Sequence, residues 1–431
     1  MITSKDRSIV RELAKQVRDR AELPIMEARR ALWYQHNDLK TTRPIIATFP
    51  EVAWHEIVPP ESLQCENEEF RFMETILRGK LFRADVIRDD VPIERTWEVT
   101  KIITDDGFVK GGKGHASVAN NPDYRDNCLG GINYLWLHSY KFNPNAGHFD
   151  PIIKEYEDLD LIKTPEVTYH EKESMEKLAI HQDALGDILD VQFRGQKWLY
   201  FAMMETYTNL RGLQEVMEDI YEEPEMLEDG MERVAQAYHE LLDQYVKYDL
   251  LDLNNDQSYS GSGGLNYTHD LPKYPGGAKD TRNFWGFCES QEFTMVGPEQ
   301  HWQFVMKHEA KMAERFGLFS YGCCEPADKK LKYILTIPGI RRISVSPWAD
   351  VEVCAEQIKD KAVYSWKPMP STFINSFDAM EPLVRRMLEA TKKHGCCPEI
   401  VLKDTGTCNN DPASYGRFTE LCRRLIEEYY G

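Results

Sequence analysis

From about residue 280 to the C-terminus, short apolar runs alternate with segments whose apolar positions recur at helical spacing. "NFWGFC", "LFSYG", "RRISVS", "AVYSW" and "EIVLK" are too short for helices and apolar on both alternating faces, as strands buried on both sides must be. "GPEQHWQFVMKHEAKMAERFG", "FDAMEPLVRRMLEATKKHG" and "YGRFTELCRRLIEEYYG" place their apolar residues on one helical stripe. Strand and helix alternate strictly, which implies parallel strands joined by helical crossovers. The number of such units, with a closing helix, predicts an α/β chain built as a (β/α)8 TIM barrel rather than an open sheet.

The first residues follow another pattern. Ile9, Leu13, Val17, Ile25, Ala28 and Leu32 recur at near-helical spacing, so residues 1–42 are expected to form an N-terminal helical extension. "RPIIATFPEVAW" is the expected first strand, and the barrel is expected to occupy 43–431. Residues 90–150 are expected to be an irregular, partly β insertion. "ERTWEVTKIITDDGFVKGG" alternates around Asp106-Gly107 and predicts a hairpin. Thr164-Pro165-Glu166 suits a helix start, as does Pro224. The loop "SYSGSGG" has the composition of a mobile lid, or of a plain connection.

Charge narrows the function. Among 431 residues, 71 Asp and Glu stand against 52 Lys and Arg, a net charge of −19. No basic cluster offers a surface for a nucleic-acid backbone. No apolar run is long enough to span a membrane, and charges interrupt the N-terminus where a signal peptide would be apolar. Ten cysteines without a secretory signal point to reduced thiols in a cytoplasm.

In such barrels reactive groups sit at the C-terminal ends of strands. Three tips carry them: "ESQE" at 289–292, "YGCCE" at 321–325 and "DTGTC" at 404–408. Strand alternation would place Tyr321, Cys323 and Glu325 on one face and Cys324 on the other. For the cysteines, core packing, a disulfide, a reactive thiol and a metal site all remain open here. If Cys323 and Cys408 both face the barrel mouth, zinc would suit two thiolates. "VKGGKGHASVAN" does not match a phosphate-binding loop, and His115, His138 and His148 are expected to be surface or packing residues. Trp54, Trp285, Trp348 and Trp366 lie near strand ends, either as packing or as an aromatic wall.

Residues 170–431 resemble the superfamily of uroporphyrinogen decarboxylase, corrinoid-dependent methyltransferases and cobalamin-independent methionine synthase. "EVMEDIYEEPEMLEDGMERV" looks like that family's helix pair, and "GPEQHWQFVMKHEAKMAERFG" like its Ser-Pro-Glu-led helix. "YGCCEP" stands where the methyltransferases carry His-x-Cys-Gly, and "DTGTC" where they carry a late Gly-Cys pair. The resemblance implies that Cys323 and Cys408 bind zinc. The histidine position falls on Tyr321, so a third ligand is expected from Glu289, with Cys324 as a substitute and Glu325 a further candidate. Glu292 or Tyr321 would protonate a leaving group. The implied activity is zinc-dependent transfer of a methyl group between a small methyl ether, amine or thiol and the cobalt of a corrinoid (cobalamin) protein, by a single chain or a homo-oligomer. The alternatives are a metal-free decarboxylase-like lyase and a non-catalytic tetrapyrrole-binding barrel. No arginine cluster follows the first strand, which disfavours the decarboxylase.

Overall fold

Runs of apolar residues bounded by Gly, Pro and charged turns become the strands of the chain's main sheet. The computed structural model describes residues 2–40, 43–110, 151–276 and 278–431. Its strands are β1 (Ile45–Thr48), β2 (Thr96–Thr100), β3 (Ile103–Asp105), β4 (Val167–Tyr169), β5 (Asp190–Arg194), β6 (Trp285–Cys288), β7 (Leu318–Tyr321), β8 (Ile340–Val345), β9 (Val363–Trp366) and β10 (Cys397–Leu402). Six of them pair in the order β1-β10-β9-β8-β7-β6, every neighbour parallel. Every residue of β1, β6, β7, β9 and β10 is buried, the physical reason their sequences are mostly apolar. The ladder has β1 and β6 as its edges among the described residues. Beyond β6 the chain at Tyr200 makes a parallel bridge to Phe287, and Gln196 one to Leu251.

The helices between strands are amphipathic. Pro224–Lys247, Met380–His394 and Ser414–Tyr430 each bury one stripe, and Pro224 occupies the first turn as expected. The N-terminal helices span Ser4–Ala21 and Pro24–Asn37. Thr3 and Asp6 close a capping box on the first, which buries Val10, Ala14 and Val17. Among the described residues, no helix is long and apolar enough to cross a membrane.

Two local expectations are overturned. The hairpin around Asp106-Gly107 does not form: β2 pairs with β5 in parallel, and β3 pairs with β4 antiparallel. Phe108 and Val109 turn toward 161–163 instead, which buries Phe108 against Tyr238 at 4.6 Å between ring centroids. The segment at Thr164 begins no helix, because Val167–Tyr169 supplies β4 and the helix runs from Glu171 to Leu185. His115, His138, His148 and the "VKGGKGHASVAN" glycines lie in 111–150, outside the described residues.

The loop "SYSGSGG" is buried and packs against part of the inner face of the sheet, beside Ser320, Val401 and Arg342. A side chain at Gly261 would meet Ser320, one at Gly263 would meet Val401, and one at Gly264 would sit 2.6 Å from Arg342 Cζ and 2.7 Å from Glu399 Oε1. Gly264 also holds φ at +90°, where side chains are strained. Gly264→Ala is expected to destabilise the fold by about 1–3 kcal/mol through overpacking, read as a lower denaturation midpoint with an unchanged slope.

Beneath the loop lies a buried ionic network. Glu399 faces His36 Nε2 at 3.0 Å and Arg342 Nε at 3.2 Å. Arg342 also donates to Asn37 Oδ1 (2.6 Å) and Leu265 O (2.9 Å), and lies over the Trp285 ring at 5.0 Å. The network joins the second N-terminal helix to β8 and β10, so that helix is part of the core.

Candidate active site at the carboxyl ends of the strands

β6 ends at Cys288, and the chain at once places Glu289 inward, 2% exposed. Its carboxyl accepts the Tyr200 hydroxyl and the Gln291 N–H (3.0 Å), and Tyr200 also reaches Glu205 Oε2 at 3.4 Å. Glu292 follows in the tight turn Gln291–Phe293, and its Oε2 is buried without a partner. From β7, Glu325 accepts the Cys323 N–H at 2.8 Å, while its other oxygen is buried and unpartnered. Burial, together with Glu325 and Glu292, holds the Glu289 carboxyl well above its ordinary range. Burial, with Glu205 and Glu325 nearby, pushes Glu292 up to about 7, and burial also raises Glu325. Three carboxyls thus gather at two neighbouring strand tips, each raised above its ordinary range first of all by burial.

The thiols sit beside them. Strand alternation does not continue past Tyr321, because Gly322 adopts φ +90° and turns the chain. Cys323 and Cys324 consequently meet, Sγ to Sγ, at 3.6 Å, rather than pointing to opposite faces. Cys324 is exposed, and a hydrogen bond from Cys323 lowers its pKa, whereas the same bond and burial raise that of Cys323. Tyr321 parts from this group. Its hydroxyl lies in the buried layer outside the sheet, 2.9 Å from Glu309 Oε2 and 3.0 Å from Ser290 Oγ. Its expected role as proton donor gives way to that packing, since Ser320 faces the loop at Gly261 and the next residue of the strand faces the other side.

Cys408 also stands apart from the Cys323 pair. Its thiol donates to Glu56 Oε2 at 3.0 Å, and the same oxygen accepts the N–H groups of Cys408 (3.1 Å) and Asn410 (2.7 Å). Burial and Glu56 push this thiol up to about 12. Among the described residues no three His, Cys, Asp or Glu side chains are grouped to hold a metal ion. The expected set of Glu289, Cys323 and Cys408, with Cys324 in reserve, is therefore not assembled, and these residues do not fit the zinc site that the resemblance implies. Because serine can donate to Glu56 as the thiol does, Cys408→Ser is expected to leave metal content and activity at the wild-type level, checked by elemental analysis and turnover.

Several mouth residues escaped sequence reasoning. Lys367 follows β9 and Lys403 follows β10, both buried. The same strand-tip rule that picked out "ESQE" would have found them in "VYSWKP" and "EIVLKD". Tyr200 had no signal, since its strand is only an isolated bridge. The aromatic wall is built from other residues than those expected: Trp198 stacks on Tyr259 at 5.6 Å and Tyr200 on Phe287 at 4.9 Å. Trp54, Trp285 and Trp366 are core, and Trp348 is 66% exposed.

No family model matches this chain, and no curated protein matches it. Among solved structures, a methyltransferase from Methanosarcina mazei aligns over 62% of this chain and 73% of its own, with 13% identity and a TM-score of 0.36. A likeness of that size leaves both fold and activity to be read from the chain itself.

Proposed function

We propose that this chain is a methyltransferase whose six-stranded sheet is the wall of a (β/α)8 barrel. It would take a methyl group from a small methyl ether or methylamine and pass it to the cobalt of a corrinoid protein. One observation carries the reading: the buried carboxyls of Glu289, Glu292 and Glu325 crowd at two strand tips, and burial raises all three, Glu292 to about 7. Moving a methyl group as a cation equivalent breaks its bond to oxygen or nitrogen, and the electron pair stays with that heteroatom. An ether oxygen then needs a proton, and Glu292 is the acid poised to give it. Burial, with the nearby Glu205 and Glu325 carboxyls, is what raises Glu292. The methyl carbon bonds to a nucleophile arriving from the open side of the mouth, the role the resemblance assigns to a corrinoid partner.

The experiment is to incubate the purified chain with reduced cobalamin and a panel of methyl ethers and methylamines. Methylcobalamin and the demethylated product are expected in equal amounts. No methylcobalamin with any donor, free or with a corrinoid protein, rejects the reading. Methyl appearing on Cys324 instead would reject the cobalt step and make the thiol the acceptor.

A further inference from the structure

Lys367 and Lys403 follow the neighbouring strands β9 and β10 directly. Lys367 is 4% exposed, and its ammonium donates to Ser344 Oγ (2.8 Å), Ser365 Oγ (3.0 Å) and Ser365 O (3.1 Å). All three acceptors are neutral, and no ion pair joins Lys367 to a carboxylate among the described residues. Ser344 in turn donates to the Cys323 carbonyl at 2.8 Å, which ties Lys367 to the thiol tip. Lys403 has Asp404 at 3.3 Å and Glu51 at 4.0 Å. Burial pushes Glu51 up to about 8, so it adds little negative charge. Two buried ammonium groups therefore share one carboxylate. Nearby, the Ser346 and Ser320 hydroxyls are buried without any partner.

A buried cation with only neutral partners is costly, and proteins ordinarily pair or neutralise it. Burial and Lys403 bring Lys367 down to about 7, against the pull of Glu399. Lys367 is therefore only partly charged near neutrality, and an anion arriving beside it would hold it fully protonated. We propose that Lys367 and Lys403 form the seat for a carboxylate carried by the small-molecule substrate. This rests on the methyl-transfer reading for the word substrate: the acid end of the molecule sits on the lysines and its methylated heteroatom faces Glu292. Ser346 supplies a free hydroxyl donor beside the lysines.

The test is calorimetric binding to the full chain, with 3-methoxypropionate as the probe and 1-methoxypropane as its uncharged counterpart. Wild type is expected to bind the acid at least tenfold more tightly than the ether. Lys367→Gln and Lys403→Gln should each weaken binding of the acid at least tenfold and leave the ether unchanged. A Lys367→Gln variant that melts like wild type but has lost the acid separates lost binding from lost folding. Equal binding of acid and ether, equal binding by the Gln variants, or no binding of the acid to wild type would each overturn the proposal. None of these measurements requires methyl transfer. Failure of the subsite therefore leaves the activity standing, and bound acid without transfer leaves the subsite standing.

Discussion

Glu399→Ala is expected to lower stability by about 3–5 kcal/mol, the usual cost of breaking a buried ion pair from one side. The variant leaves Arg342 and His36 facing each other at the centre of the sheet, both buried, with no carboxylate between them. A single domain has only about 5–15 kcal/mol to lose, so the denaturation midpoint should fall sharply. Isosteric Glu399→Gln should cost less than the Ala variant, because its amide can still meet Arg342 and His36. The pH dependence follows from two groups. Burial opposes a charged His36, yet Cys397 and Glu399 raise it to about 9. Its contribution is therefore complete below the ordinary histidine range and is lost as pH rises through about 9. Burial opposes a charged Glu399 too, but Arg342 and His36 lower it to about 2. Its contribution is present above the ordinary glutamate range and is lost as pH falls toward 2. Stability should be flat between these limbs, and Glu399→Ala should remove the acid limb.

Glu292→Gln is expected to lower kcat for methyl ethers by about 10²- to 10⁴-fold, the usual contribution of a general acid. Glu292 acts protonated and titrates at about 7. The wild-type rate should therefore fall as pH rises through 7, and the Gln variant should lack that limb. Glu205 and Glu325 are the neighbours that set this value along with burial; Glu205→Gln should move the limb to lower pH. Iodomethane provides the control. Its iodide leaves without a proton, so methyl transfer from it should proceed equally in wild type and Glu292→Gln. A Gln variant slow with both donors would mean that Glu292 shapes the mouth rather than donating a proton.

Much of the sheet was legible in the chain, for a definite reason. β6, β7, β9 and β10 are buried along their whole length, so their sequences are short and mostly apolar, and such runs stand out from the helical stripes between them. The strand-tip rule then led to Glu289, Glu292 and the cysteine pair. It failed at Tyr321 because period-two alternation assumes an unbroken strand, and Gly322 breaks it. It passed over Lys367 and Lys403 because a lysine after a strand looks like any solvated charge until its burial is known.

By itself, the sequence determined the strands and helices beyond about residue 280, that the main strands run parallel, and that acids and thiols end them. These follow from local spacing, which each segment carries within itself. Only the tertiary structure decided which of those groups meet. Cys408 matched a metal-ligand pattern, yet its thiol is committed to Glu56, a residue far away in the chain. The loop "SYSGSGG" had the composition of a lid but packs against the sheet's inner face, because only glycines allow backbone so close to Arg342 and Val401. His36, in an N-terminal helix expected to be an extension, completes the central ionic network. Such pairings depend on distances between residues remote in sequence, and no local pattern encodes those distances.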